Sequence, residues 1–269
     1  MKNITLIFSL LAYTFVASAQ DTLIFGVVPQ QSARTLVKLW GPIFKHIEKE
    51  TGIKVRFETA SNIPTFEKRM AAGKYDLAYM NPYHYVVFSK KPGYKPVSKA
   101  RGKSIKGIMV VRKDSKIEKL TDLDSNALAF PAPAAFAASI LPRTSLAQKG
   151  VTFTPKYVSS HDSVYRTVAK GIYPAGGGVV RTFKNVAPKI REQLKIIWTS
   201  KGYTPHAIAV HPRINKSHVK KIQNALINME QNVVGKKLLE NIKIKGFEIA
   251  VDDDWNDVRA LNIHLLDNK

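Results

Sequence analysis

Apolar and polar positions alternate along this chain with two different periods, and the switches between them lay out a series of strands and helices. Leu23 to Val28 is a β-rich apolar run that stops at Pro29, and Ser32 can cap a helix that continues to Glu50 and is closed by Thr51-Gly52. Lys54 to Thr59 alternates with period two as a second strand, and Ile63 to Gly73 reads as a helix ended by glycine. Leu77 to Met80 is a short, wholly apolar run of the length a buried strand needs. Asn81-Pro82 then supplies a cap followed by proline at the first helical position. Three strands alternating with helices over so short a span predict right-handed βαβ crossovers and a mainly parallel sheet covered on both faces.

The pattern then repeats in a second unit. Tyr94 to Ala100 reads as a further strand, Arg101-Gly102-Lys103 as a crossing point, and Lys106 to Arg112 and Ala127 to Phe130 as strands. A helix is expected from about Ala134 to Lys149, a strand over Phe153 to Val158 and a helix over Ser163 to Gly171. The glycine-rich stretch Ala175 to Val180 and a strand over Lys195 to Trp198 complete the unit. Thr204 to Val210 looks like a returning strand, with helices over Lys216 to Met229 and Trp255 to Leu266. The expected organisation is a first lobe over residues 20–103, a second over 104–203, and a return to the first over 204–269.

Residues 1–19 change the picture before any fold is reached. Lys2, the apolar stretch Ile4 to Val16 and the small residues Ala17-Ser18-Ala19 have the order of a cleaved export signal, so the mature chain is expected to begin at Gln20. No later stretch approaches the roughly 18 apolar residues of a membrane helix. The chain has no cysteine, which excludes disulfide and thiol chemistry and a lipid-anchored lipoprotein. Its 42 Lys and Arg against 20 Asp and Glu leave a formal charge of +22. An exported chain without a nucleic-acid-binding motif directs that excess toward an anionic solute or an anionic membrane surface.

Candidate chemistry gathers at Tyr75 to Phe88. The strand ending at Met80 meets a helix amino terminus there, and the carboxyl ends of such strands, next to unpaired N–H groups, are where α/β sheets bind small molecules and anions. Tyr83, His84 and Tyr85 crowd that turn, either packing the helix on the sheet or touching a ligand. Ser160-His161-Asp162-Ser163 holds the residue types of a catalytic triad, but neighbours in sequence point apart and no Gly-x-Ser-x-Gly elbow occurs, so an enzyme is not expected. The histidines have no metal-ligand spacing. Gly176-Gly177-Gly178 lacks the Lys-Ser/Thr of a phosphate loop and reads as a close-packed strand or a hinge.

Taken in order, several short segments resemble one family. Phe25-Gly26-Val27-Val28-Pro29, Trp40-Gly41-Pro42, Glu50-Thr51-Gly52, Tyr75 to Val86, Ser160-His161-Asp162 and Ile196-Ile197-Trp198-Thr199-Ser200 are similar to motifs of the periplasmic phosphonate, phosphite and phosphate binding proteins of ABC transporters. The resemblance implies an α/β type II periplasmic binding protein, two lobes joined by two crossing segments with the ligand cleft between them. It places ligand contacts on Tyr85, on His161 and on a turn that here reads Ala135-Phe136-Ala137-Ala138. Asn81, Tyr83, Ser160 and Arg181 complete the candidate set, with Lys103 or Lys170 as further sources of charge.

That turn departs from the family, whose Ser-Thr-Ser-Gly supplies two hydroxyls, and Ile172-Tyr173-Pro174-Ala175 lacks the family's acidic residue. A hydrogen bond to a charged group contributes roughly 1.5–3 kcal/mol, so the loss of two is expected to weaken alkylphosphonate binding by powers of ten. Phe136, with Tyr83 and Tyr85, instead offers rings on which a ligand could stack. The resemblance further implies a monomeric periplasmic protein with no cofactor, a small anionic solute as ligand, and an ABC permease as partner. The alternative is a sensor subunit docking on a membrane receptor kinase or cyclase.

Overall fold

The computed structural model describes residues 22–266, so the expected export signal lies outside the described residues. The first lobe begins with strands β1 (Leu23–Val27), β2 (Val55–Glu58), β3 (Leu77–Met80) and β4 (Lys95–Ala100), separated by helices α1 (Ala33–Thr51), α2 (Ile63–Ala71) and α3 (Pro82–Phe88). The caps are those the sequence offers. Ser32 Oγ accepts from Thr35 N at 3.2 Å, and Gly52, at φ 70°, ends α1 in the left-handed region that favours glycine.

The second lobe carries β5 (Gly107–Arg112), β6 (Asn126–Phe130), β7 (Phe153–Tyr157), β8 (Ala175–Val179) and β9 (Leu194–Thr199). Its helices are α4 (Leu141–Gln148), entered through a π-helical turn Phe136–Ile140, α5 (His161–Ala169), α6 (Val180–Asn185) and α7 (Pro188–Arg191). The chain then returns to the first lobe with β10 (Ala207–Val210), α8 (Lys216–Asn228), α9 (Val233–Asn241), β11 (Phe247–Ile249) and α10 (Asn256–Arg259).

The sheets have the orders β11-β4-β10-β3-β1-β2 and β7-β6-β8-β5-β9. Both are mixed, which corrects the expectation of mainly parallel sheets: three of the five strand pairings in the first and two of the four in the second are antiparallel. β1 runs parallel to β2 and β3, but β10 comes back from the second lobe and inserts antiparallel between β3 and β4. In the second lobe β6 is parallel to β7 and β8, while β5 is antiparallel to both its neighbours. The two crossing segments pair with each other through Ile105 and Tyr203, whose backbone groups exchange hydrogen bonds of 2.8 and 3.0 Å.

One apolar core fills the first lobe and runs on through the contact between lobes to Ala132, Ala134 to Ala138 and Val179 of the second. Two smaller clusters cover the faces of the second sheet. The return segment departs from expectation. The predicted helix over Trp255 to Leu266 is a short 3-10 turn at Asp252–Trp255 followed by α10 alone. Trp255 is a buried anchor whose indole N–H donates to Pro205 O at 2.9 Å, so tertiary packing there overrides the helical pattern.

Candidate ligand site between the lobes

Among the described residues the lobes meet through four hydrogen bonds. Asn81 Nδ2 donates to Ala134 O at 3.2 Å, His161 N to Gln30 O at 3.0 Å, Ser32 N to Asp162 Oδ2 at 3.4 Å, and Arg181 Nη2 to Gln30 Oε1 at 2.7 Å. Along this seam lie two adjoining cavities. The first, bordered by Asn81, Ala135, Phe136, Ala137, His161 and His206, measures only about 10 Å³, enough for one water. The second, of about 170 Å³, is walled by Tyr79, Arg181 and His206 and by the lysines of the crossing segment and of α6.

The small cavity is tight because its second-lobe wall sits directly on the sheet. A Cβ at Gly177 would lie 2.0 Å from Ala138 O, and one at Gly107 would lie 2.1 Å from Ala137 O. The glycine run is thus a close-packed strand on which the Phe136–Ile140 turn rests, not a phosphate loop. The Phe136 ring is 1% exposed and lies edge-on to Tyr203 with centroids 5.4 Å apart, so it is committed to the crossing segments and not open for stacking.

Each sequence-predicted residue has a definite place. Asn81 caps α3 by accepting from His84 N at 2.8 Å while its amide reaches the second lobe. His161 lies on the opposite wall with Nδ1 3.0 Å from Thr182 Oγ1. Thr182 Oγ1 also lies 3.0 Å from Val179 O and 2.8 Å from Tyr165 OH, so the imidazole joins a buried network of two hydroxyls and a carbonyl. Burial and then the Arg181 guanidinium bring the His161 pKa down to about 3 and keep the ring neutral.

Tyr83, Tyr85 and Ser160 do not border either cavity. Of the two residues on which ligand contacts were expected, His161 borders the small cavity and Tyr85 does not: the Tyr85 hydroxyl donates to Asp252 Oδ1 at 2.6 Å and its ring lies 4.3 Å from that of Trp255. The helical turn after Pro82 swings both tyrosines toward the return segment, where Tyr83 OH accepts from Leu266 N at 2.9 Å. Ser160 Oγ caps α5 by accepting from Ser163 N at 3.1 Å. Ser160, His161 and Asp162 therefore reach three separate partners and do not converge.

Two residues passed over in the sequence border the larger cavity. His206, at the mouth of β10, is 4% exposed, stacks on Tyr79 with centroids 4.8 Å apart, touches both cavities, and leaves its Nε2 without a hydrogen-bond partner. Burial first, then Arg181 and the neighbouring histidines, hold its pKa well below the ordinary value. Tyr79, next to last in β3, carries the Arg181 guanidinium 5.6 Å from its ring centroid. The only signal for His206 was its place before a returning strand that abuts the carboxyl end of β3.

Two α/β lobes, paired crossing segments and a polar seam with a half-buried cation are the architecture of a protein that binds a ligand between its lobes. Residues 25–255 match the family model for the periplasmic substrate-binding protein of phosphonate ABC transporters, and the chain belongs to that family. It is thus a substrate-binding component of an ABC transporter. It is 24% identical to the phosphate-import protein PhnD of Mycolicibacterium smegmatis, over 76% of this chain and 70% of that one. Among solved structures it resembles a binding-protein component of an ABC phosphonate transporter from Pseudomonas aeruginosa, with a TM-score of 0.83, 19% identity and coverage of 90% and 86% of the two chains. It also resembles PhnD1 of Prochlorococcus marinus in complex with methylphosphonate, with a TM-score of 0.82, 19% identity and coverage of 90% and 98%.

Proposed function

We propose that the mature chain, released from residues 1–19, works as a periplasmic monomer that captures a small anion between its lobes and delivers it to an ABC permease, with simple alkylphosphonates as poor ligands. The observation that carries this reading is the contrast between the wall expected to hold the phosphonate head and the space beside it. Ala135 to Ala138 offer no hydroxyl and border only about 10 Å³, whereas the adjoining cavity of about 170 Å³ is lined by cations. A phosphonate desolvated against the first wall would not regain its hydrogen bonds, and each unmade bond costs about 1–3 kcal/mol.

Asn81, His161, Ala135, Phe136, Ala137 and Arg181 belong to this proposed site as its border. Arg181 lies at the centre of the proposed closure. Its backbone is on the second lobe and its side chain rests on Gln30 and Tyr79 of the first, so lobe closure delivers a positive charge to the seam. Calorimetry on the chain beginning at Gln20, titrated with methylphosphonate, ethylphosphonate, phosphate and phosphite, tests the reading. Alkylphosphonate dissociation constants are expected well above about 1 μM. A submicromolar value for either alkylphosphonate would show that the altered turn does not govern specificity.

A further inference from the structure

The larger cavity has a charge pattern that a one-headed anion does not use. Five cations border it: Lys103 and Lys106 on the crossing segment, Arg181 and Lys184 on α6 of the second lobe, and Lys243 just beyond α9 of the first. No aspartate or glutamate lines it. The nearby acids are engaged elsewhere, Glu230 with Arg101 and both Glu248 and Asp254 with Lys99, at 3.6 and 2.6 Å. Among the described residues none of the five cations forms an ion pair with a carboxylate.

Lysines at a surface are usually solvated and need no ligand. Three features set these apart. They converge on one concave space instead of spreading over a face. The buried Nε2 of His206 and the half-buried Arg181 sit at the inner end of the same space, where a ligand atom would complete the unmatched imidazole nitrogen. The cations also come from three separate segments, one on each lobe and one on the hinge. A ligand that pairs with both Lys184 and Lys243 spans the two lobes, and two separated charged groups offer one to each.

We infer that this cavity takes a compact anion bearing at least two separate acidic groups, of the chemical class of pyrophosphate or a phosphonocarboxylate, which bridges α6 to the end of α9 and holds the lobes closed. The inference rests on the proposed anion-binding function and adds the charge and form of the ligand. At about 170 Å³ the space is smaller than the roughly 300–1,000 Å³ of pockets for drug-sized molecules, in keeping with two acidic groups joined by a short link.

The test is calorimetry of the mature chain with pyrophosphate, phosphonoacetate, phosphate and methylphosphonate at about 150 mM salt, where screening suppresses long-range attraction. Pyrophosphate or phosphonoacetate is expected to bind at least about tenfold more tightly than phosphate or methylphosphonate. The double variant Lys184→Gln with Lys243→Gln is expected to lose that advantage while keeping its melting temperature without ligand, since both side chains are exposed. Tighter binding of phosphate or methylphosphonate, or undiminished pyrophosphate binding by the double variant, overturns the two-group inference and leaves the anion-binding reading standing. Heat from none of the four anions overturns the anion-binding reading itself.

Discussion

The two cavities share Ile105, Val179 and His206 and lie along one seam, yet one holds about 10 Å³ and has no lysine or arginine on its walls, while the other holds about 170 Å³ and is bordered by five cations. Their walls explain the difference. The small cavity's second-lobe wall is a helical turn resting on glycine backbone and continuous with the apolar core of the first lobe. The large cavity is walled by a hinge, a helix start and a helix end, whose side chains are long and charged. A family motif marks a position in a fold, and the chemistry of that position depends on which side chains fill it. Here the turn expected to hold the ligand is packed and carries no hydroxyl from Ala135 to Ala138, and the cations lie next door.

The largest effect that could break this comparison is at Phe136. If its ring closes the small cavity, Phe136→Ala costs about 3–5 kcal/mol of stability, as for other buried aromatics, measured by urea unfolding. A loss under about 1 kcal/mol would mean that the seam is not packed as described. The triple replacement Ala135→Ser, Phe136→Thr, Ala137→Ser restores the hydroxyl-bearing turn and is expected to gain methylphosphonate affinity, though from a less stable starting point.

Next in size is the response to acid, because His161 and His206 are buried and neutral beside Arg181. Their folded pKa values lie below the unfolded value of about 6.5, so the unfolded chain binds more protons as pH falls. Their contribution is complete above pH 6.5 and is lost progressively as pH drops from there toward about 3, the value for His161. Asp162, whose pKa burial raises, acts in the opposite sense and offsets part of the loss. Melting temperature is therefore expected to fall between pH 6.5 and 4. His161→Gln, which keeps a hydrogen-bonding side chain without titrating, should flatten the fall, and an unchanged slope would remove His161 from it.

Much of the fold was legible because its signals are local. Ser32, Gly52 and Asn81-Pro82 mark element ends by their own chemistry, and each caps or ends a helix in the structure. The return segment was less legible. α9 opens on Val233 and Val234, which are 83% and 65% exposed, so its first turn shows no buried apolar face, and β11 is only three residues long. The site divides along the same line. Asn81, His161 and the Ala135 turn follow from segment order, whereas His206 depends on β10 inserting beside β3, a pairing between residues over a hundred positions apart. Tyr85 was misplaced for the matching reason: Asp252 and Trp255 receive it from a segment whose position no local pattern reveals.

The smallest expected effect sharpens that point at Tyr85. Its hydroxyl makes one hydrogen bond to Asp252, a carboxylate that Arg259 Nη2 also holds at 2.8 Å, so removing the hydroxyl leaves the acid with a partner. Its ring, buried against Trp255, is kept by phenylalanine. Tyr85→Phe should therefore cost about 1 kcal/mol of stability by urea unfolding, because only one hydrogen bond goes and no cavity opens. Anion affinity, measured with whichever of pyrophosphate or phosphate binds the parent chain, should change by less than about twofold, since Tyr85 borders neither cavity. A drop of about tenfold with unchanged stability would place Tyr85 against the ligand after all. The lobes would then have to rearrange around the α3 turn on binding, and the distinction between a small uncharged subsite and a larger basic one would fail.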